Sequence, residues 1–235
     1  MQRRQFVAAG AVGGVALSAG CLGGLLEDAT TFSASPAIVA ESATDETGYE
    51  YQGTEEIVTT ESVAGQEIEV TSYGAEYVRM IDLPLDILGG EVEAGVFGVI
   101  TTPQVGVAGE EFNPVGEMGA EEIAREVQGQ YEELSVGDST GERSVAALED
   151  TIVLETFEGE AELQGERTVD ILLDVARHET GGDHLVIVGV YPDLEGLPID
   201  SERDRIDVMV QGLEHGDDVD AEIVDSREES DPLAG

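Results

Sequence analysis

The sequence predicts an α+β fold: an antiparallel sheet of about six to eight strands covered by two helices. Three observations predict it. Across residues 50–190 most apolar residues alternate with polar ones, in runs bounded by Gly and Pro, which is the period of strands. Twice the period becomes helical, at Ile123, Val127, Tyr131 and Leu134 and again at Ile206, Met209, Val210 and Leu213. Residues 36–216, which contain all of this, are long enough for one ordinary core and read as a single domain.

Glu55 to Thr59 and Glu67 to Val70 flank Ala64-Gly65 and form a first hairpin. Tyr77 to Ile81 and Gly95 to Ile100 flank a Leu/Pro/Gly-rich connection and form a second antiparallel pair. An irregular segment around Pro103 and Phe112 to Met118 leads into a helix over Ala120–Leu134, whose acids lie between its apolar positions. A turn at Gly137 to Gly141 precedes three strands, Ser144–Glu158, Thr168–His178 and His184–Val190. The last two are joined through Thr180-Gly181-Gly182-Asp183 as a tight hairpin. Ser201 with Asp204 caps a second helix that stops at Gly216. Helices placed this way cover one side of the sheet. No repeat of solenoid or propeller period is present.

The ends differ in character. Arg3, Arg4 and Phe6 open a mild Ala/Gly/Val run to Gly20, too short for a bilayer-spanning helix of roughly 20 residues. The run resembles a twin-arginine export signal. It closes on Leu17-Ser18-Ala19-Gly20-Cys21, which resembles a lipobox, with Ser18 where such motifs usually carry Leu. The resemblance implies a signal peptide over 1–20 and lipidation of Cys21, the sole cysteine, followed by a tether to residue 35. Residues 217–235 read as an acidic, disordered tail.

Charge narrows the field of partners. The chain has 52 acidic residues against 10 basic ones, all of them arginine, and removal of Arg3 and Arg4 with the signal leaves 8 − 52 = −44. In dilute buffer such a charge repels itself and destabilises the compact state. In molar salt the Debye length is about 3 Å and the carboxylates become a hydrated coat. Nucleic acid and anionic headgroups are poor partners for this surface. Membrane association is expected through the lipid on Cys21, at the extracellular face of the cytoplasmic membrane.

Candidate chemistry is sparse. His178 and His184 flank the Gly181-Gly182 turn, and with Asp183 they compose a candidate metal site, since two imidazoles and a carboxylate suit zinc or iron. The competing reading is solvated turn residues. His215 reads as the end of the second helix, complementing its dipole. Asn113, the single asparagine, precedes Pro114 and is either a ligand contact or a turn-stabilising group. No Gly-x-Ser-x-Gly elbow occurs, and a phosphate-cradling loop needs a lysine that the chain lacks. No cofactor is expected and no catalytic residue is assigned.

Thr101 to Val105, Phe112 to Met118, Phe32 to Ala37, Glu46 to Tyr49 and Gly189 to Pro192 resemble a haloarchaeal family of twin-arginine-exported lipoproteins known as a domain of unknown function. The resemblance implies location and a unitary fold, and no activity. The element order is also similar to small α/β/α lipoprotein-like domains related to the photosystem lumenal subunit. The leading functional expectation is a non-catalytic binding or envelope-assembly module with an envelope protein as partner. The rivals are an extracellular hydrolase or metal-dependent enzyme, and a solute-binding lipoprotein.

Overall fold

A computed structural model describes residues 31–63, 66–83, 90–107, 110–111, 114–130, 134–163, 167–193 and 199–224. Arg3, Arg4, Phe6, Cys21 and Asn113 lie outside the described residues. In chain order the elements are β1 (Thr31–Ser33), β2 (Ala37–Val39), α1 (Glu41–Thr47), β3 (Glu50–Val63), β4 (Gln66–Leu83), β5 (Gly90–Pro103), β6 (Gly106–Val107) and β7 (Glu110–Glu111). A single 3-10 turn at Pro114–Gly116 follows. Then come α2 (Ala120–Gln130), β8 (Leu134–Ala147), β9 (Asp150–Leu163), β10 (Arg167–Thr180), β11 (Asp183–Pro192), α3 (Ile199–Gln211), β12 (Leu213–His215) and β13 (Ile223–Val224).

A nine-stranded sheet runs in the order β13-β3-β4-β5-β11-β10-β9-β8, with β1 beside β4. It is mixed rather than purely antiparallel, because β1 and β13 pair in parallel with β4 and β3. Both lie in stretches read from sequence as tether and disordered tail. Each is two or three residues long, too short to show a period. The two runs 67–70 and 77–81 are parts of one 18-residue strand, β4, which pairs first with β3 and then with β5.

Conversely, the run 144–158 is two strands. Leu148 and Glu149, at φ 52° and 62°, reverse the chain between β8 and β9. A two-residue turn with positive φ at both centres normally carries Asn-Gly, so Leu-Glu gave no signal. The Gly181-Gly182 turn, at φ 62° and 92°, is as expected from its glycines.

Both faces of the sheet are covered, a correction to the one-sided expectation, and three helices rather than two do the covering. On one face α1, β2 and α3 pack over Tyr77, Phe97, Val99, Leu154, Leu185, Ile187 and Tyr191, through Val39, Ile206, Met209 and Val210. On the other, Ile123 and Ala124 of α2 pack over Phe157, Ile171, Leu173 and Val175. Residues of β10 alternate between the two clusters: Leu172 and Ala176 to the first, Leu173 and Val175 to the second. Among the described residues no helix is long and apolar enough to cross a membrane.

Candidate functional site

The largest buried polar constellation lies in the middle of the α3 face. Asp174 stands in the apolar run 171–176, at a position that alternation turns inward, and is fully buried. Its carboxylate accepts two parallel bonds from Arg143 of β8, at 2.8 and 2.6 Å. It also accepts Thr156 Oγ1–H at 2.6 Å and Tyr191 O–H at 3.0 Å. Arg143 then donates from Nε to Asp207 of α3 at 2.7 Å. Burial alone disfavours the Arg143 charge, but the hydrogen bonds and charges of Asp174 and Asp207 outweigh it and hold the guanidinium more firmly protonated than usual. Burial, then the Asp174 charge, push the Tyr191 phenol up, so it stays a neutral donor. Four donor contacts on two carboxylate oxygens fill the acceptor sites of Asp174.

A second clamp fixes the N-terminal half of α3. Arg79 of β4 is ion-paired with the buried Glu202 and lies over the Tyr49 ring, 5.8 Å from its centroid. Burial raises the Tyr49 phenol against the opposing pull of Arg79. Arg205 donates to the Thr47 carbonyl at 2.8 Å, in the last turn of α1, where a cation complements the helix dipole. Gly48, at φ 76°, ends that helix and returns its N–H to Thr44. Between α1 and α3 an open cleft of about 200 Å³ is lined by Glu46, Thr47, Ser201, Asp204, Arg205 and Val208. It is smaller than the roughly 300 Å³ at which ligand pockets begin.

The candidate metal residues are divided by the pleat. His178 opposes Leu185 and Thr180 opposes Asp183, which puts His178 and Asp183 on the α3 face. His184 opposes Glu179 on the α2 face, where its Nδ1 lies 3.7 Å from the Glu179 carboxylate. Adjacent strand residues point to opposite sides of a sheet, so Asp183 and His184 do not converge. Among the described residues no group of three His, Cys, Asp or Glu is arranged to hold a metal.

Asp183 has a different partner. Its Oδ2 accepts the Ser35 N–H at 2.9 Å and lies 2.9 Å from Nε2 of His215, with both side chains buried. His215 is therefore not a helix-terminal group: α3 ends at Gln211, and His215 sits in β12 opposite Ala37 of β2. The pair ties the β10–β11 turn to the segments that enter and leave the domain. Sequence spacing missed it because the partners are 32 positions apart, with all of α3 between them.

A model of the family described as Domain of unknown function (DUF6517) matches residues 36–214. The chain belongs to this family. The DUF6517 match takes in the Asp174 constellation and the His178, Asp183 and His184 positions, and leaves out residues 1–35, Cys21 among them. No curated protein sequence matches. Among solved structures the chain is similar to cyanobacterial PsbP (CyanoP) from Synechocystis sp. PCC 6803, at 11% identity over 84% of this chain and 98% of that one, with a TM-score of 0.29. It is also similar to LpqN, involved in cell envelope biogenesis of Mycobacterium tuberculosis, at 7% identity over 77% and 98%, with a TM-score of 0.27.

Proposed function

We infer that this DUF6517 protein is a lipid-anchored, non-catalytic binding or envelope-assembly module displayed at the extracellular face of the cytoplasmic membrane. The observation that carries the non-catalytic part is the commitment of Asp174: the most heavily built polar group in the fold is closed under α3 and spent on holding the layers together. The export signal at Arg3, Arg4 and Phe6 and the lipobox-like Cys21 support the location. Thr31, the first strand residue, is ten positions beyond Cys21, so a fully extended tether reaches about 35 Å. A lipid on Cys21 then keeps the domain within one molecular diameter of the bilayer, and two acyl chains give stable residence where one is marginal.

Gentle extraction from membranes in molar salt, followed by mass spectrometry of what co-purifies, tests the reading. A stoichiometric envelope protein is the expected result. A lone chain loaded with a small molecule or metal overturns it in favour of solute binding or catalysis. Cys21→Ser should move the protein from the membrane fraction to the medium, and unchanged membrane retention would refute the anchor.

A further inference from the structure

The last described stretch of the chain, Gly216 to Val224, lies on the surface of the domain. No residue in it is buried, and Ile223 is 51% exposed. It is hinged at Asp217, which accepts the Ser35 hydroxyl at 2.7 Å, and it meets the large sheet at β13, which pairs with Thr54 and Glu55 of β3. The Thr54 N–H donates to the Glu222 carbonyl at 2.8 Å, and the Tyr51 hydroxyl donates to the same oxygen at 3.5 Å. One side chain has a built seat. Gly53, at φ 117° in a bulge of β3, leaves a hollow that Val224 fills: a Cβ there would come within 2.6 Å of Val224 Cγ1.

Charge opposes this contact. Asp217, Asp218, Asp220 and Glu222 lie on the arm, and Glu50, Glu55 and Glu56 on the part of β3 beside it, with Glu76 of β4 opposite Gly53. Neither the arm nor β3 contains an arginine, and the residues just beyond Val224 carry Asp225, Glu228 and Glu229 against Arg227. The core under α3 is closed instead by apolar packing and by ion pairs of opposite sign, which low salt does not weaken.

We propose that the Gly216–Val224 arm is a strap set by ionic strength: seated on β3 in molar salt, and lifted from it in dilute buffer while the core stays folded. At about 1 M salt the Debye length is about 3 Å, so these carboxylates are screened from one another. At about 0.01 M it is about 30 Å, and every one of them repels the rest. What holds the strap against that repulsion is the short β13 pairing and one seated Val224 side chain. Lifting it uncovers the Thr54 N–H and the Gly53 hollow.

Exchange of the Thr54 amide, read by NMR on the full chain, tests this, because that N–H has the strap as its partner. Lowering the salt from about 2 M to about 0.1 M should speed it by about tenfold or more, while the amides of Leu173 and Ile187 in the core stay protected. Asp218→Asn, Asp220→Asn and Glu222→Gln together should keep Thr54 protected at the lower salt. Val224→Ala empties the Gly53 hollow without touching β3, and should move the loss of protection to higher salt. Loss of protection at Thr54, Leu173 and Ile187 at one salt concentration would overturn the proposal, since the whole domain would then be unfolding. So would Thr54 exchange that ignores salt, or a neutralised arm that lifts as the wild type does.

Discussion

Leu173 and Asp174 are neighbours on β10, both fully buried, and they face opposite layers held by different physics. Leu173 looks toward α2 into an apolar cluster with Ile123, Phe157 and Val175, which shares its face with the buried His184. Asp174 looks toward α3, where an apolar core surrounds Arg143, Thr156, Tyr191 and Asp207. Apolar burial is forgiving about orientation and is not screened by salt. A bidentate arginine pair is directional, and it is costly if left half-made. In a chain of ten arginines and no lysine, Arg79, Arg143 and Arg205 are spent on seating α3. That helix is thereby placed in one register, whereas α2 is seated by apolar packing and one neutral hydrogen bond, from the Val136 N–H to Gln128 Oε1 at 2.8 Å.

Breaking the clamp should have the largest effect. Asp174→Ala leaves Arg143, Thr156 and Tyr191 without their acceptor, and denaturant unfolding in molar salt should show a loss of about 3–5 kcal/mol. On the other face Ile123→Ala should cost about 2–4 kcal/mol, with hydrogen exchange loosened around α2 and not around α3. If the Ile123 change loosens both helices equally, the two layers are not independent.

Glycines sharpen the contrast. A Cβ on Gly189, under α3, would come within 2.9 Å of Ile206, so Gly189→Ala should overpack that layer by about 1–3 kcal/mol. Alkaline pH probes the same layer through Tyr49, Tyr77 and Tyr191, whose phenols are raised first of all by burial. Because the folded value lies above the unfolded one, the unfolded chain loses its proton first. Stability is whole below about pH 10 and falls as pH rises past it, by at most about 1.4 kcal/mol per tyrosine per pH unit. Ionisation of these three should therefore accompany the loss of the circular-dichroism signal, and ionisation of all six tyrosines with the spectrum unchanged would contradict the burial. The smallest effect is expected at Gly98 on the α2 face of β5, where a Cβ would meet the Ala75 carbonyl oxygen only at 3.9 Å. Gly98→Ala should change stability by no more than about 0.5 kcal/mol.

Much of the architecture was legible from residues close in sequence. The amphipathic period of α2, the Gly181-Gly182 turn and the α3 stripe of Ile206, Met209 and Val210 each express a local rule. α1 was missed because Glu41–Thr47 is two turns long and buries only Ala43 and Thr47. One signal in the candidate site was readable in principle: Asp174 interrupts an apolar run at a position that alternation buries, and a buried acid needs a cation. Nothing local says that the cation is Arg143, 31 residues earlier and two strands away across β9.

By itself the sequence determined composition-level and short-range properties: the acidic charge, the export-like N-terminus, the strand and helix periods, and the turns that need glycine. Tertiary structure alone decided which strands are neighbours, that both faces are covered, and that Asp183 turns to His215 while His184 turns away. The physical reason is range: periodicity and turn chemistry act over a few residues, whereas pairing, burial and ion-pair choice depend on segments that meet only once the chain is packed.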